Sequence, residues 1–260
     1  MKNKVFKNRI QYLVALFIAV TAFTYQQKPT LYIIGDSTVK NEDALGHRGW
    51  GSHIANYLDS DKINVSNQAM AGRSTRTFIK EGRWDKVLST LKKGDYVMMQ
   101  FGHNEGSQPD TSRAGYRGVL KGTGEDTVQL TWPDGKLEVV HTYGWYIKKF
   151  ITDVKEKGAT PIVLSMIPRN EFRDGKVQRA NNDYGKWAKE VAEANGAFFI
   201  DLNGITADKY DKLGPEEVKK FFPGDHTHTN PEGAEINAQS VVEGLRMQKN
   251  ISLNNYLLNK

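Results

Sequence analysis

Short apolar runs alternate along the chain with segments whose apolar residues recur every three or four positions. The runs predict buried strands, and the periodic segments predict helices. Strands are predicted at 31–34, 62–67, 96–101, 160–167 and 197–201. Helices are predicted at 49–58, 75–91, 142–157, 181–195 and 231–247, with shorter helices within 203–222. This alternation predicts a parallel sheet with helices on both faces.

One region, residues 106–141, interrupts this alternation. Residues 127–132 and 136–141 alternate between apolar and polar side chains around Pro133-Asp134-Gly135, which predicts a β-hairpin. We interpret 116–141 as a hairpin insertion that lies over the side of the sheet where parallel strands end and functional residues collect. The last residues of the chain are predicted to form a polar tail.

The N-terminus has the pattern of an export signal. Three lysines and one arginine fall within the first nine residues, and an apolar stretch of 12 residues follows at 12–23. That stretch is short for a membrane span, so we predict a signal peptide over 1–25 and one domain over 26–260. The expected location is periplasmic or extracellular, with no stable membrane association after cleavage. No clean small-x-small cleavage site is present, so a retained anchor is the alternative.

Charge and cysteine content narrow the classes of function. The net charge is +6, and it falls to +2 without the four basic residues of the predicted signal. This near balance gives no reason to expect a nucleic-acid partner. The chain has no cysteine, which excludes disulfides and a lipoprotein anchor.

Residues able to do chemistry follow several predicted elements. Ser37 follows the first predicted strand, Gly72 the second and Asn104 the third. Asp225 and His228 precede the last predicted helix. Because parallel strands end at one edge of a sheet, these residues can converge. A histidine can activate a serine nucleophile while an acid orients it, and glycine N–H and asparagine amide groups can hold an oxyanion. Taken singly, each residue also fits a turn or a cap.

The same residues support a family resemblance. Gly35-Asp36-Ser37, Gly72, Gly102-His103-Asn104 and Asp225-x-x-His228 occur in the order of the four blocks of the SGNH (GDSL-like) hydrolases. The finer context resembles the rhamnogalacturonan acetylesterases of carbohydrate esterase family 12. The stretches that carry this resemblance are 34–39, 71–74, 100–104, 141–146 and 226–230.

The resemblance implies a flavodoxin-like three-layer α/β/α sandwich with a five-stranded parallel sheet. It implies that Ser37 is the nucleophile, His228 the base and Asp225 the acid that orients the base. The oxyanion hole would consist of the Ser37 N–H, the Gly72 N–H and the Asn104 side chain. No metal and no organic cofactor are expected.

Two positions depart from the family pattern. The third block usually ends in aspartate, and here it ends in Glu105; the position after Asp225 is often glycine, and here it is His226. Together Asp225, His226 and His228 also suggest a metal site, although nothing else in the sequence supplies an obvious further ligand. The two departures from the family pattern, Glu105 and His226, could alter the rim of the site.

Five residues are candidates for substrate binding. The aromatic residues Trp50, Tyr143 and Trp145 could line a sugar site, with core packing as the alternative. Arg73 and Arg76 stand just after Gly72, the candidate oxyanion glycine, and could bind the carboxylates of galacturonate-bearing pectin. A solvated surface pair is the alternative for the two arginines.

The sequence therefore predicts an exported serine esterase that removes acetyl groups from a plant cell-wall polysaccharide. Rhamnogalacturonan is the first choice, and its acetylated polymer or oligosaccharide is the expected partner. One alternative is an esterase of the same family acting on acetylated xylan or small acyl esters. Another is a carbohydrate-binding protein without turnover.

Overall fold

The computed structural model describes residues 28–40, 45–113 and 115–259. The predicted signal peptide at 1–25 lies outside the described residues. Within the described ranges, no helix is both long and apolar enough to cross a membrane.

A parallel sheet of five strands forms the centre of the molecule. The strands of the described residues are β1 (Thr30–Gly35), β2 (Asn64–Asn67), β3 (Tyr96–Gln100), β4 (Thr127–Thr131), β5 (Leu137–His141), β6 (Thr160–Leu164), β7 (Phe172–Arg173), β8 (Lys176–Val177) and β9 (Phe198–Ile200). The central sheet has the order β2-β1-β3-β6-β9, and all its neighbours are parallel. This is the flavodoxin-like order, so the predicted sheet is confirmed.

Helices cover both faces of this sheet. They are α1 (Thr75–Lys80), α2 (Arg83–Thr90), α3 (Tyr143–Glu156), α4 (Tyr184–Ala194), α5 (Leu202–Leu213), α6 (Pro215–Lys219) and α7 (Pro231–Met247). Side chains of β1 alternate between two apolar layers. Tyr32 and Ile34 pack with α1 to α4, whereas Leu31 and Ile33 pack with α7 and two short 3-10 segments. The predicted three-layer sandwich is thus confirmed.

Two predicted helices are interrupted. Residues 49–58 form two 3-10 turns, Trp50–Ser52 and Ile54–Tyr57, rather than one α-helix. The predicted helix at 75–91 breaks at Gly82, whose φ of +69° is left-handed, and this separates α1 from α2.

The predicted polar tail is wrong. Residues Ser252–Tyr256 form a 3-10 helix, and Ile251 and Leu253 are buried against the sheet. Leu257 forms an antiparallel bridge with Leu58. Ile251 and Leu253, which are two positions apart, hold this segment against the sheet by burying their side chains.

The region predicted as an insertion contains an antiparallel hairpin. Strands β4 and β5 pair from Thr127 with His141 to Thr131 with Leu137. The hairpin is fastened to α1, because Glu138 accepts hydrogen bonds from Arg76 and Lys80. It therefore lies beside the helix that begins just after Gly72.

Candidate active site

The loop before α7 brings an acid and a base to the end of β1. His228 Nε2 lies 2.8 Å from Ser37 Oγ, and His228 Nδ1 lies 2.6 Å from Asp225 Oδ2. An ionised carboxylate can only accept hydrogen bonds, so Nδ1 is the donor and Nε2 accepts from the serine hydroxyl. This is the arrangement that activates a serine for attack on a carbonyl.

The loop holds Asp225 in its ionised form. Asp225 Oδ1 accepts from the backbone N–H groups of Thr227 at 2.6 Å and His228 at 2.8 Å. Partial burial favours the neutral carboxyl, but the hydrogen bonds from the His228 ring and from these two N–H groups outweigh it. The pKa of Asp225 is therefore well below its usual range. The imidazole therefore has an anionic partner at neutral pH.

A buried chain of hydrogen bonds fixes the turn that carries Ser37. Asp36 Oδ1 accepts from the N–H of Thr38 at 2.9 Å and from its hydroxyl at 2.7 Å. Gln100 Nε2 donates to the Thr38 hydroxyl at 2.7 Å, and Gln100 Oε1 accepts from Trp50 Nε1 at 2.9 Å. Asp36 thus orients the turn and does not belong to the hydrogen-bonded chain from Ser37 through His228 to Asp225.

Glycine is required at the start of this turn. A Cβ on Gly35 would lie 2.6 Å from the carbonyl oxygen of Gln100 and 2.7 Å from a methyl carbon of Val39. Gly72 serves a different need, since its φ of +74° is left-handed. A side chain at Gly35 would collide with its neighbours, and a side chain at Gly72 would strain the backbone.

The side chain of Asn104 is held at both ends. Its Oδ1 accepts from Arg117 Nη1 at 2.8 Å, and its Nδ2 donates to the carbonyl oxygen of Arg73 at 3.1 Å. Nδ2 carries two hydrogens, so one N–H is used by Arg73 and the other can serve a ligand.

Glu105, one of the two departures from the family pattern, follows Asn104 in the loop after β3, and its side chain is fully buried. Its two carboxyl oxygens accept from the N–H of Thr75 at 2.8 Å and from the N–H of Asn104 at 2.9 Å. Burial raises the pKa of Glu105 to about 8; Asp36 acts in the same direction, against the backbone N–H donors. Glu105 therefore links the start of α1 to the backbone of Asn104.

Three of the predicted substrate-binding residues are corrected by the structure. The Trp50 side chain is fully buried and bonds Gln100, and Tyr143 is fully buried with its hydroxyl donating to the Phe101 carbonyl. Arg76 is 1% exposed and has Glu138 as its ion-pair partner. None of the three can contact a polysaccharide, because packing and internal hydrogen bonds occupy them.

The other two predicted substrate-binding residues reach the surface. Arg73 is half-buried, and its Nε lies 2.9 Å from Glu81 Oε2. Trp145 stacks on His141 with ring centroids 3.7 Å apart. It also lines a groove of about 830 Å³ between the hairpin and α1.

The residues of the alternative metal site do not converge. Both ring nitrogens of His228 are engaged by Ser37 and Asp225, and His226 Nε2 lies 3.7 Å from Glu171 instead. Over the described ranges, no group of three or more histidine, cysteine, aspartate or glutamate side chains is placed to hold a metal ion.

Sequence reasoning missed two residues beside the site. Arg117 contacts Asn104, and His47 stacks on His228 with ring centroids 4.9 Å apart and planes 23° apart. Neither falls in a motif. Arg117 belongs to the interrupted region and His47 to the loop before the first 3-10 turn, so only the folded structure pairs them with the site.

Comparison with known proteins identifies the family of this chain. A family model described as GDSL-like Lipase/Acylhydrolase matches residues 31–241. The rhamnogalacturonan acetylesterase of Emericella nidulans is 34% identical over 228 residues, which cover 88% of this chain and 89% of that protein. The rhamnogalacturonan acetylesterase RhgT of Bacillus subtilis is 29% identical over 234 residues, covering 83% of this chain and 88% of that protein.

Solved structures show the same fold. The Bacillus subtilis protein YxiM has a TM-score of 0.68 at 27% identity, and the match covers 85% of this chain and 57% of that one. Axe2, an acetylxylan esterase from Geobacillus stearothermophilus, has a TM-score of 0.58 at 16% identity, covering 89% and 97%. The predicted resemblance is therefore confirmed, and the chain is a carboxylic ester hydrolase that belongs to the GDSL-like lipase/acylhydrolase family.

Proposed function

We propose that this chain is an exported acetylesterase that removes acetyl groups from rhamnogalacturonan through an acyl-enzyme on Ser37. The observation that carries the proposal is the hydrogen-bonded chain from Ser37 Oγ through His228 to Asp225. The names of the relatives that match most of its length support the substrate class.

Acylation uses the residues at the end of β1. As Ser37 Oγ attacks the acetyl carbonyl carbon, His228 Nε2 takes the hydroxyl proton. The negative charge that develops on the carbonyl oxygen is held by the N–H groups of Ser37 and Gly72 and by Asn104 Nδ2. When the intermediate collapses, His228 returns the proton to the departing sugar hydroxyl.

Deacylation repeats these roles with water. His228 takes a proton from a water molecule that attacks the acetyl-serine carbonyl, and the same donors hold the second oxyanion. Collapse releases acetate and returns the proton to Ser37 Oγ. In both steps Asp225 stabilises the imidazolium through the 2.6 Å hydrogen bond at Nδ1.

The openness of the site suits an acetyl group on a polymer. The Asp225 and His228 side chains are 44% and 27% exposed, so the triad lies at the surface rather than at the end of a tunnel. A short acyl group needs no deep apolar pocket, and a polymer chain needs an open approach. Arg73 is the side chain we assign to a galacturonate carboxylate, and Trp145 the one we assign to a sugar ring.

Acetate release tests the proposal. We expect the mature enzyme to release acetate faster from acetylated rhamnogalacturonan than from acetylated homogalacturonan or acetylated xylan. Ser37→Ala should abolish release without changing the thermal midpoint. Asp225→Asn should lower kcat by about 10⁴-fold because it fixes the wrong tautomer of His228. Ser89→Ala, a serine exposed on α2, is the matched control.

Each contrary outcome bears on a different part of the proposal. Activity in Ser37→Ala would overturn the acyl-enzyme mechanism, and faster release from xylan would overturn the choice of polymer. Export is tested by expressing the full chain in a bacterial host and sequencing the N-terminus of the protein outside the cytoplasm. An intact N-terminus retained in the cytoplasm would overturn it.

A further inference from the structure

Arg117 lies between two groups of the proposed oxyanion hole. It is the last residue of the short 3-10 turn Gly115–Arg117 in the region that interrupts the α/β alternation. Its Nη1 donates to Asn104 Oδ1 at 2.8 Å. The same Nη1 is the nearest atom, at 3.7 Å, to the place where a Cβ on Gly72 would stand.

This contact decides which way the Asn104 amide faces. A guanidinium group can only donate hydrogen bonds, so it selects the oxygen end of the amide and turns the nitrogen end away. One Nδ2 hydrogen then bonds the carbonyl oxygen of Arg73 at 3.1 Å. Because the Asn104 amide bonds both Arg117 and Arg73, the orientation of its remaining Nδ2 N–H is fixed.

The turn that carries Arg117 is itself anchored. The buried guanidinium of Arg76 donates from Nη1 to the carbonyl oxygens of Gly115 at 3.2 Å and Gly118 at 3.0 Å, on both sides of the turn. Its Nε and Nη2 bind Glu138 of the hairpin at 2.8 and 2.9 Å. The turn also docks closely on the loop after β3, since a Cβ on Gly118 would lie 2.2 Å from the carbonyl oxygen of Ser107.

We infer that Arg117 is a positioning residue that orients the amide of Asn104 toward the developing oxyanion. The inference rests on the proposed function, because it assigns Asn104 Nδ2 to that oxyanion. Arg117 adds no bond to the substrate in this role and acts only through Asn104.

Kinetics on a small neutral ester, 4-nitrophenyl acetate, test this role without the charge of the polysaccharide. Removing one oxyanion donor costs about 10²- to 10³-fold in kcat, and we expect Asn104→Ala to fall in that range. Arg117→Met keeps the length of the side chain but no donor, and a misoriented amide should lower kcat by about 10- to 100-fold with KM nearly unchanged. Arg117→Lys should recover part of the loss, since an ammonium can also donate to Oδ1. Arg113→Met is the matched control, because Arg113 is exposed in the same region.

The double variant Asn104→Ala/Arg117→Met separates positioning from other effects. If Arg117 acts through Asn104, the double variant has the same kcat as Asn104→Ala alone. Independent, multiplicative losses would overturn the inference, and so would an unchanged kcat in both Arg117 variants while Asn104→Ala is impaired. Wild-type kcat in Asn104→Ala would overturn the proposed oxyanion assignment and this inference with it. Thermal midpoints within a few degrees of wild type show that each loss is not unfolding.

Discussion

We expect the titration of the buried Glu105 to lower the free energy of unfolding as the pH rises. Burial raises the pKa of Glu105 from 4.5 to about 8. Between these values the native state keeps a proton that the unfolded chain has released. The free energy of unfolding then falls by about 1.4 kcal/mol for each pH unit, or about 5 kcal/mol in total. The contribution of Glu105 to the free energy of unfolding is fully present below about pH 4.5 and is lost as the pH rises to about 8.

Glu105→Gln removes this titration and keeps the size of the side chain. A glutamine has one acceptor oxygen, so it can serve either the Thr75 N–H or the Asn104 N–H, but not both. The lost hydrogen bond costs about 1–3 kcal/mol at any pH. The variant should therefore be less stable than wild type at pH 5 and more stable, by about 2–4 kcal/mol, at pH 9.

Urea unfolding followed by tryptophan fluorescence at pH values from 5 to 9 measures this difference. Subtracting the two curves cancels the other titrating groups, because both proteins contain them. Glu156→Gln, an exposed glutamate on α3, controls for the removal of a negative charge. Parallel stability curves for wild type and Glu105→Gln would refute the raised pKa.

Two further predictions concern the arginines that follow Gly72. Arg76→Met leaves the backbone carbonyls of Gly115 and Gly118 without their donor and leaves the partly buried Glu138 carboxylate with only Lys80 and Trp132 as donors. We therefore expect a loss of about 3–5 kcal/mol and a fall in the thermal midpoint of about 10 °C by calorimetry. A fall no larger than that of Arg83→Met, a surface ion-pair variant on α2, would contradict it. Arg73→Met leaves the backbone carbonyl that bonds Asn104 in place, and we expect KM to rise several-fold on acetylated pectin and to stay constant on 4-nitrophenyl acetate. Equal changes on both substrates would contradict a carboxylate contact.

The parts of the molecule that follow local patterns were predictable from the sequence. The strands of the sheet are buried runs, and α7 agrees with its predicted bounds because Asn230 caps it and Pro231 begins it. Ser37 and Asn104 lie at strand ends, where a parallel sheet collects its functional groups.

The parts that depend on distant pairs were not predictable. Arg76 is predicted from the sequence to bind a substrate carboxylate, with a solvated surface pair as the alternative. Its burial follows from Glu138, which lies 62 positions later on the hairpin. The role of Arg117 depends on the same hairpin being fastened to α1. Hydrophobic periodicity carries no information on such pairs, because each partner looks like an exposed charge in its own segment.

The proposed triad of Ser37, His228 and Asp225 has a consequence for the order in which the protein becomes active. Asp225 and His228 are three positions apart and bonded through both side chain and backbone, so this pair can form within its own loop. Its bond to Ser37 joins residues 191 positions apart. That bond can form only when the loop before α7 reaches the end of β1, and closing a contact of such sequence separation has a large entropic cost. We therefore expect esterase activity to return during refolding only when the C-terminal helix α7 docks. A spectroscopic signal from the sheet should return before the activity does.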